Sequence, residues 1–364
     1  MSRKIVTAFA AMVLSGSATI AVAQERVVNV YNWSDYIDAS ILEDFTKETG
    51  IKVVYDVFDS NEILETKLLA GGTGYDVVVP TATFLQRQIA AGVFQKLDKS
   101  KLPNLSNMWD EITTRVATYD PGNEYAIDYM WGTTGIGYNV EKAKQILGTD
   151  EKPTWDVLFK PEVAAKFKDC GIYLLDSPTD VVPSVLLYLG LNPDSHAPDD
   201  LAKAEELLLS IRPYIRKFHS SEYINALANG DICLALGYSG DIFQARDRAA
   251  EAKAGVTVDY SIPPTGAQMW FDVMAIPADA PHLAEAHEFL NYLMKPEVIA
   301  KASDVVFYAN GNKASQQFIS KDVIDDTAIY PPEDVMKKLF TTTPFEAKAQ
   351  RVLTRMWTKV VTGQ

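Results

Sequence analysis

Between Val27 and Pro80, three short apolar runs alternate with two stretches of helical spacing, and that succession leaves few folds open. The first run is β-branched and closes abruptly in Asn32, Trp33, Ser34, Asp35 and Tyr36. Ala39 to Thr49 then repeats apolar residues at helical spacing (Ile41, Leu42, Phe45) and stops at Gly50, a common helix terminator. Ile51 to Phe58 alternates as a strand. Asp59, with Glu62 three residues later, reads as a capping-box start for a helix from Ile63 to Ala70, which Gly71, Gly72 and Gly74 end. Tyr75 to Pro80 is a third strand, and a helix follows Thr81 as far as Ala91. Strand, helix, strand, helix, strand implies right-handed β-α-β units in a mainly parallel sheet. Such sheets take ligands at the carboxyl ends of their strands, where Trp33, Ser34, Tyr36 and Thr81 fall.

The alternation resumes downstream. Tyr125 to Tyr138 is strand-like but broken by Gly132, Gly135 and Gly137, which reads as a kinked or exposed passage between lobes, or else a bulged strand inside one. A strand from Gly171 to Leu175 leads through Asp176, Ser177 and Pro178 into a helix with Asp180 in its first turn. Ile232 to Tyr238 is a further strand, followed by a helix from Asp241 to Ala254, and Gln268 to Pro277 is another strand. Leu283 to Leu293 is an amphipathic helix stopped by Pro296, Val305 to Asn312 a strand-to-turn element, and Val335 to Phe340 and Phe345 to Val361 are helical patterns. A mature chain of about 340 residues exceeds what one core supports. The fold class is therefore α/β in two lobes, each a mainly parallel sheet flanked by helices, and a chain that crosses twice makes a hinge.

The leader sets the compartment. Arg3 and Lys4, an apolar middle, and small residues at Ala21 and Ala23 have the layout of a cleavable secretory signal over residues 1–23. Formal net charge is -14, and removing a leader with two basic residues and no acid lowers it further. An acidic surface disfavours nucleic acid and attracts cations. In an oxidising compartment the two cysteines, Cys170 and Cys233, are expected to form a structural bond; closing so long a loop is worth roughly 4 kcal/mol in the chain-entropy model.

Three acids carry the chemistry. Asp272 lies inside WFDVMAI, an apolar run where an unpaired carboxylate costs several kcal/mol, with Trp270 on the same strand face and no basic residue nearby in sequence. A cation beside an aromatic ring is its natural complement; a core acid satisfied by backbone amides is the plain alternative. Asp180 and Asp241 follow strand ends, although acids also favour helix N-termini for dipole reasons. Trp33, Tyr36, Tyr238, Trp270 and Tyr308 share that placement at strand ends or in the turns after them; core packing is the ordinary fate of such rings. His282 and His287 are wrongly spaced to ligate a metal from one helical face, and no H-E-x-x-H, G-x-x-x-x-G-K or G-x-S-x-G motif is present. No catalytic residue, cofactor or metal is expected; a hydrolase using two of the acids is the enzymatic alternative.

The stretches YNWSDYI, GYDVVVPTATF, YMWGTTGIGYN, FHSSEYINALANGDICLALGYSGD, WFDVMAIP and VFYANGNKA together resemble the periplasmic polyamine-binding proteins of ABC uptake systems, the putrescine-binding branch most closely. The resemblance covers the mature chain. It implies a type II periplasmic binding protein fold, with residues 24–131 and 260–310 in lobe 1, 132–259 and 311–364 in lobe 2, and a disulfide between Cys170 and Cys233 in lobe 2. It places ligand contacts on Trp33, Ser34, Tyr36, Thr81, Asp180, Tyr238, Asp241, Trp270, Asp272 and Tyr308. It implies a monomer that delivers putrescine to an inner-membrane permease; a spermidine-preferring or broad carrier, or a polyamine-sensing receptor component, are the alternatives. Members of the family commonly carry Glu at the position of Asp180, Trp at Tyr238, Ser at Thr81 and Phe at Trp270. A shorter acid and smaller ring enlarge one side of the site, while Trp270 narrows another.

Overall fold

Strand β1 (Val27–Trp33) is the first strand of the computed structural model, which describes residues 26–253 and 255–363; the expected leader lies outside them. After β1 come α1 (Ala39–Thr49), β2 (Lys52–Phe58), α2 (Asn61–Ala70), β3 (Val77–Val78) and α3 (Ala82–Ala90). Helix α1 buries Ile41 and Phe45, one turn apart, and ends where Gly50 takes the left-handed conformation that glycine adopts without a Cβ penalty. The cap of α2 differs from expectation. Ser60, not Asp59, caps it by accepting the amide of Ile63, whereas Asp59 accepts a hydrogen bond from the Ser34 hydroxyl at 2.8 Å.

The remaining strands are β4 (Ala126–Asn139), β5 (Ile172–Leu174), β6 (Ile215–Phe218), β7 (Leu234–Tyr238), β8 (Val258–Ser261), β9 (Gln268–Ala275) and β10 (Ala309–Asn310). They form one sheet in the order β2-β1-β3-β9-β4-β7-β5-β6, with β8 and β10 also on β4. Strand β1 is parallel to β2 and β3, and β5 is parallel to β6 and β7. Between these two parallel blocks, β9 and β4 run antiparallel to their neighbours. The middle of the sheet is thus mixed because two long strands pass from one block to the other.

Strand β4 is buried along its whole length, so its glycines do not mark an exposed passage. They allow close approach instead. A Cβ on Gly132 would stand 2.8 Å from the Trp270 ring, and one on Gly135 would stand 2.6 Å from the Ser261 carbonyl oxygen. The irregularity in pairing lies elsewhere, between Asp128 and Met130. Gly135→Ala forces backbone apart and is expected to cost about 1 to 3 kcal/mol by overpacking. A urea-unfolding midpoint unchanged from wild type would contradict this.

Other readings change as well. Pro296 opens the helix Pro296–Val306 at its first turn, where a missing N–H is harmless, rather than simply ending the preceding helix Leu283–Leu293. Val305 and Val306 are therefore helical, and strand geometry begins only at β10. Of Val335 to Phe340, only Val335 and Met336 are helical, at the end of the short turn Glu333–Met336, and the last helix spans Ala347–Thr362. The helix expected to reach Ala254 runs Ser239–Glu251; Ala254 is outside the described residues. The Cys170–Cys233 disulfide forms, with Cα atoms 5.5 Å apart, and joins the chain just before β5 to the chain just before β7, where the Cys233 amide donates to the Gly171 carbonyl.

Candidate ligand-binding site

The turn after β1 is built to hold its aromatic residues in place. The Trp33 indole N–H donates to the Val79 carbonyl at 2.9 Å, and its ring packs on Phe58. Asp35 takes a positive φ of 53°, a conformation that Asp tolerates better than most residues, and the chain then turns Tyr36 inward. Tyr308 is delivered by a similar device. Phe307, with φ 58°, terminates the helix Pro296–Val306 in left-handed geometry, and the next residue enters the site. Gly240, having no side chain, makes room for it, since a Cβ there would collide with the Tyr308 ring.

These residues, with the other expected contacts, surround one cleft that opens to solvent. All ten residues expected from sequence line it: Trp33, Ser34, Tyr36, Thr81, Asp180, Tyr238, Asp241, Trp270, Asp272 and Tyr308. Edge-on contacts link Tyr238 to Trp270, Trp270 to Tyr308 and Tyr308 to Tyr36, with centroids 5.3 to 5.6 Å apart. Edge-to-face packing of this kind holds rings at fixed angles, which gives the cleft rigid apolar walls.

The carboxylates are held by hydroxyls. Asp272 is only 5 % exposed; it accepts from Thr81 at 2.7 Å and from Tyr36 at 2.9 Å. Asp180 accepts from Ser177 at 2.5 Å and from Tyr238 at 3.0 Å. Asp241 accepts from Tyr223 at 2.6 Å and from Tyr308 at 2.7 Å. Burial pushes Asp272 up to about 7 against the pull of its two hydroxyl partners, and the nearby charges of Asp180 and Asp241 push the same way. Burial likewise raises Asp180 and Asp241 to about 6, their hydroxyl partners again opposing it. Neutral hydroxyls stabilise the three acids only in part, and a cation is the complement their charge calls for.

The Tyr238 hydroxyl reaches the Asp180 carboxylate, so these two side chains are physically coupled. Sequence reasoning did not find Asn61, Ser177 and Tyr223. Tyr223 is fully buried in a short helix and looks like any core aromatic in the sequence; Asn61 looks like an ordinary residue of a helix's first turn.

Two parallel α/β blocks, joined by long antiparallel strands and enclosing a cleft at their strand ends, define a type II periplasmic binding protein. The chain belongs to the bacterial extracellular solute-binding protein family, whose model matches residues 40–331. It is 56 % identical over 358 residues to a putrescine-binding periplasmic protein of Pseudomonas aeruginosa, covering 97 % of each chain. It is 55 % identical over 344 residues to a putrescine-binding periplasmic protein of Escherichia coli, covering 94 % of this chain and 93 % of that one. Among solved structures, the substrate-binding protein of a spermidine/putrescine ABC transporter from Streptococcus pneumoniae superposes with a TM-score of 0.77 at 29 % identity, covering 93 % of this chain and 99 % of the other.

Proposed function

We propose that this chain, exported to the periplasm with its leader removed after Ala23, captures putrescine between its two halves and presents it to an ABC permease in the inner membrane. The observation that carries this reading is the convergence of three hydroxyl-bonded acids and a set of edge-packed aromatic rings on one cleft. A short alkyl diamine is charged at both ends near neutral pH. Carboxylates hold its ammonium groups, and rings shield its methylenes and add cation-π attraction. Asp272 comes from β9, whereas Asp180 and Asp241 come from helices that follow β5 and β7. One ligand touching both groups stabilises the closed arrangement by its differential affinity for it, and a permease can read that closure. The names of the relatives above support this substrate and support a carrier over an enzyme. The hinge then runs through β4 near Trp131 and through the return from β8 to β9.

The test is a tryptophan-fluorescence titration of ligand-stripped protein with diamines of graded length, since Trp33 and Trp270 both line the cleft. Saturable change with putrescine, weakening by roughly tenfold per methylene added or removed, is expected. No response to any aliphatic amine would overturn the reading. Gly240→Ala, which displaces the Tyr308 ring, is expected to weaken putrescine about tenfold in the same titration; unchanged affinity would show that the ring's position is not needed.

A further inference from the structure

Two residues outside the expected contact set, Asn61 and Tyr223, fix the direction of the hydrogen bonds that reach the acids. A backbone N–H can only donate. The Tyr238 amide donates to the Tyr223 hydroxyl oxygen at 3.1 Å, so the Tyr223 proton is left for Asp241, whose Oδ2 accepts it at 2.6 Å. The Asp241 amide does the same to Tyr308 at 3.1 Å, and the Tyr308 proton goes to Asp241 Oδ1. On the other side of the cleft, the Thr81 amide donates to Asn61 Oδ1 at 3.0 Å, which orients the amide group of Asn61. Asn61 Nδ2 therefore donates to Thr81 Oγ1 at 2.9 Å, and Thr81 has its proton left for Asp272 Oδ1.

We infer that Asn61 and Tyr223 are positioning residues, one on each side of the cleft, whose relays from backbone amides present Asp272 and Asp241 with hydroxyl protons only and so hold both as acceptors ready for an ammonium group. A carboxylate that receives such bonds favours its charged form, which offsets part of the desolvation that opposes it. The surroundings matter to the sign. Asp241 also faces Tyr308, Tyr238, the exposed Asp35 and the Arg248 guanidinium; Asp272 faces Tyr36, Tyr129, the buried Asp128, Asp180 and Asp241. Of these, only Arg248 carries positive charge, and Asp35 shares it through an ion pair at 3.7 Å. The relays are the contribution that Tyr223→Phe and Asn61→Ala remove one at a time.

The inference rests on the proposed function, and two readouts separate them. Carbon-detected NMR titration of the ligand-free protein follows the carboxyl groups directly. Tyr223→Phe is expected to raise the Asp241 titration by roughly one pH unit, and Asn61→Ala that of Asp272 by a similar amount. Binding of putrescine to each variant should then weaken most below neutrality, about fivefold more at pH 6 than at pH 8. Carboxyl titrations that do not move, or an affinity loss equal at both pH values, would overturn the relay role and leave only packing. Should Tyr223→Phe fail to fold, Asn61→Ala with Asp272 as reporter tests the same relay. Titrations that shift in a protein that binds no amine would overturn the carrier function and uphold the relay.

Discussion

Asp272→Asn is expected to weaken putrescine binding by about a hundredfold at pH 8, because removing one member of a dehydrated charge pair costs roughly 2 to 5 kcal/mol. Asparagine keeps the volume, and its carbonyl oxygen can still accept from Tyr36 or Thr81. What it loses is the charge that offsets an ammonium group. The ligand-free protein should respond in the opposite sense. Asp272 is buried near Asp180 and Asp241 with hydroxyls rather than a cation as its partners, so neutralising it is expected to stabilise the ligand-free fold at pH 8. Loss of affinity together with a raised melting temperature is the signature. Affinity equal to wild type would make Asp272 a structural acid.

The second large effect is on stability against pH. In the ligand-free fold the Asp272 carboxyl is raised from 3.8 to about 7. Between those values the native state keeps a proton that the unfolded chain has released, so the native state binds more protons and stability falls as pH rises. The contribution is fully present below 3.8 and lost by the time pH passes about 7. Asp180 and Asp241, raised to about 6, act in the same direction over a narrower window. Together they should lower the stability of the ligand-free protein by on the order of a few kcal/mol between pH 5 and pH 8, or about 5 °C in melting temperature. Putrescine favours the charged acids, so its stabilising effect should be larger at pH 8 than at pH 5. Scanning calorimetry at both pH values, with and without putrescine, checks this; a ligand effect larger at pH 5 would contradict it.

How much of this was legible in the sequence depends on what each residue's neighbours are. Helix α1 and β1 were readable because their patterns are local: Ile41 and Phe45 one turn apart, Gly50 at the stop, a β-branched run ending in Trp33. The cleft was readable in part because Trp33, Asp180 and Tyr238 lie at or just after strand ends and because Asp272 is out of place in an apolar strand, whereas Trp270 lies inside β9 and Tyr308 follows a helix. The exposure read from the β4 glycines was wrong, since what calls for Gly132 and Gly135 lies far along the chain, at Trp270 and at Ser261. Val305 was misread because β-branched residues suit either state, and the helix is set by Pro296 and by packing of Val298, Ile299 and Ala302. Tyr223 and Asn61 were invisible for a related reason: their roles exist only through backbone amides that the fold brings to them.

The proposed recognition rests on buried negative charge and not on hydrocarbon shape alone. Isothermal titration of ligand-stripped protein with putrescine and with 1,4-butanediol compares two molecules of the same chain length that differ in charge. Saturable heat with putrescine and none with the diol, in a pH 8 buffer, is the predicted result; comparable binding of the two, or of neither, would contradict it.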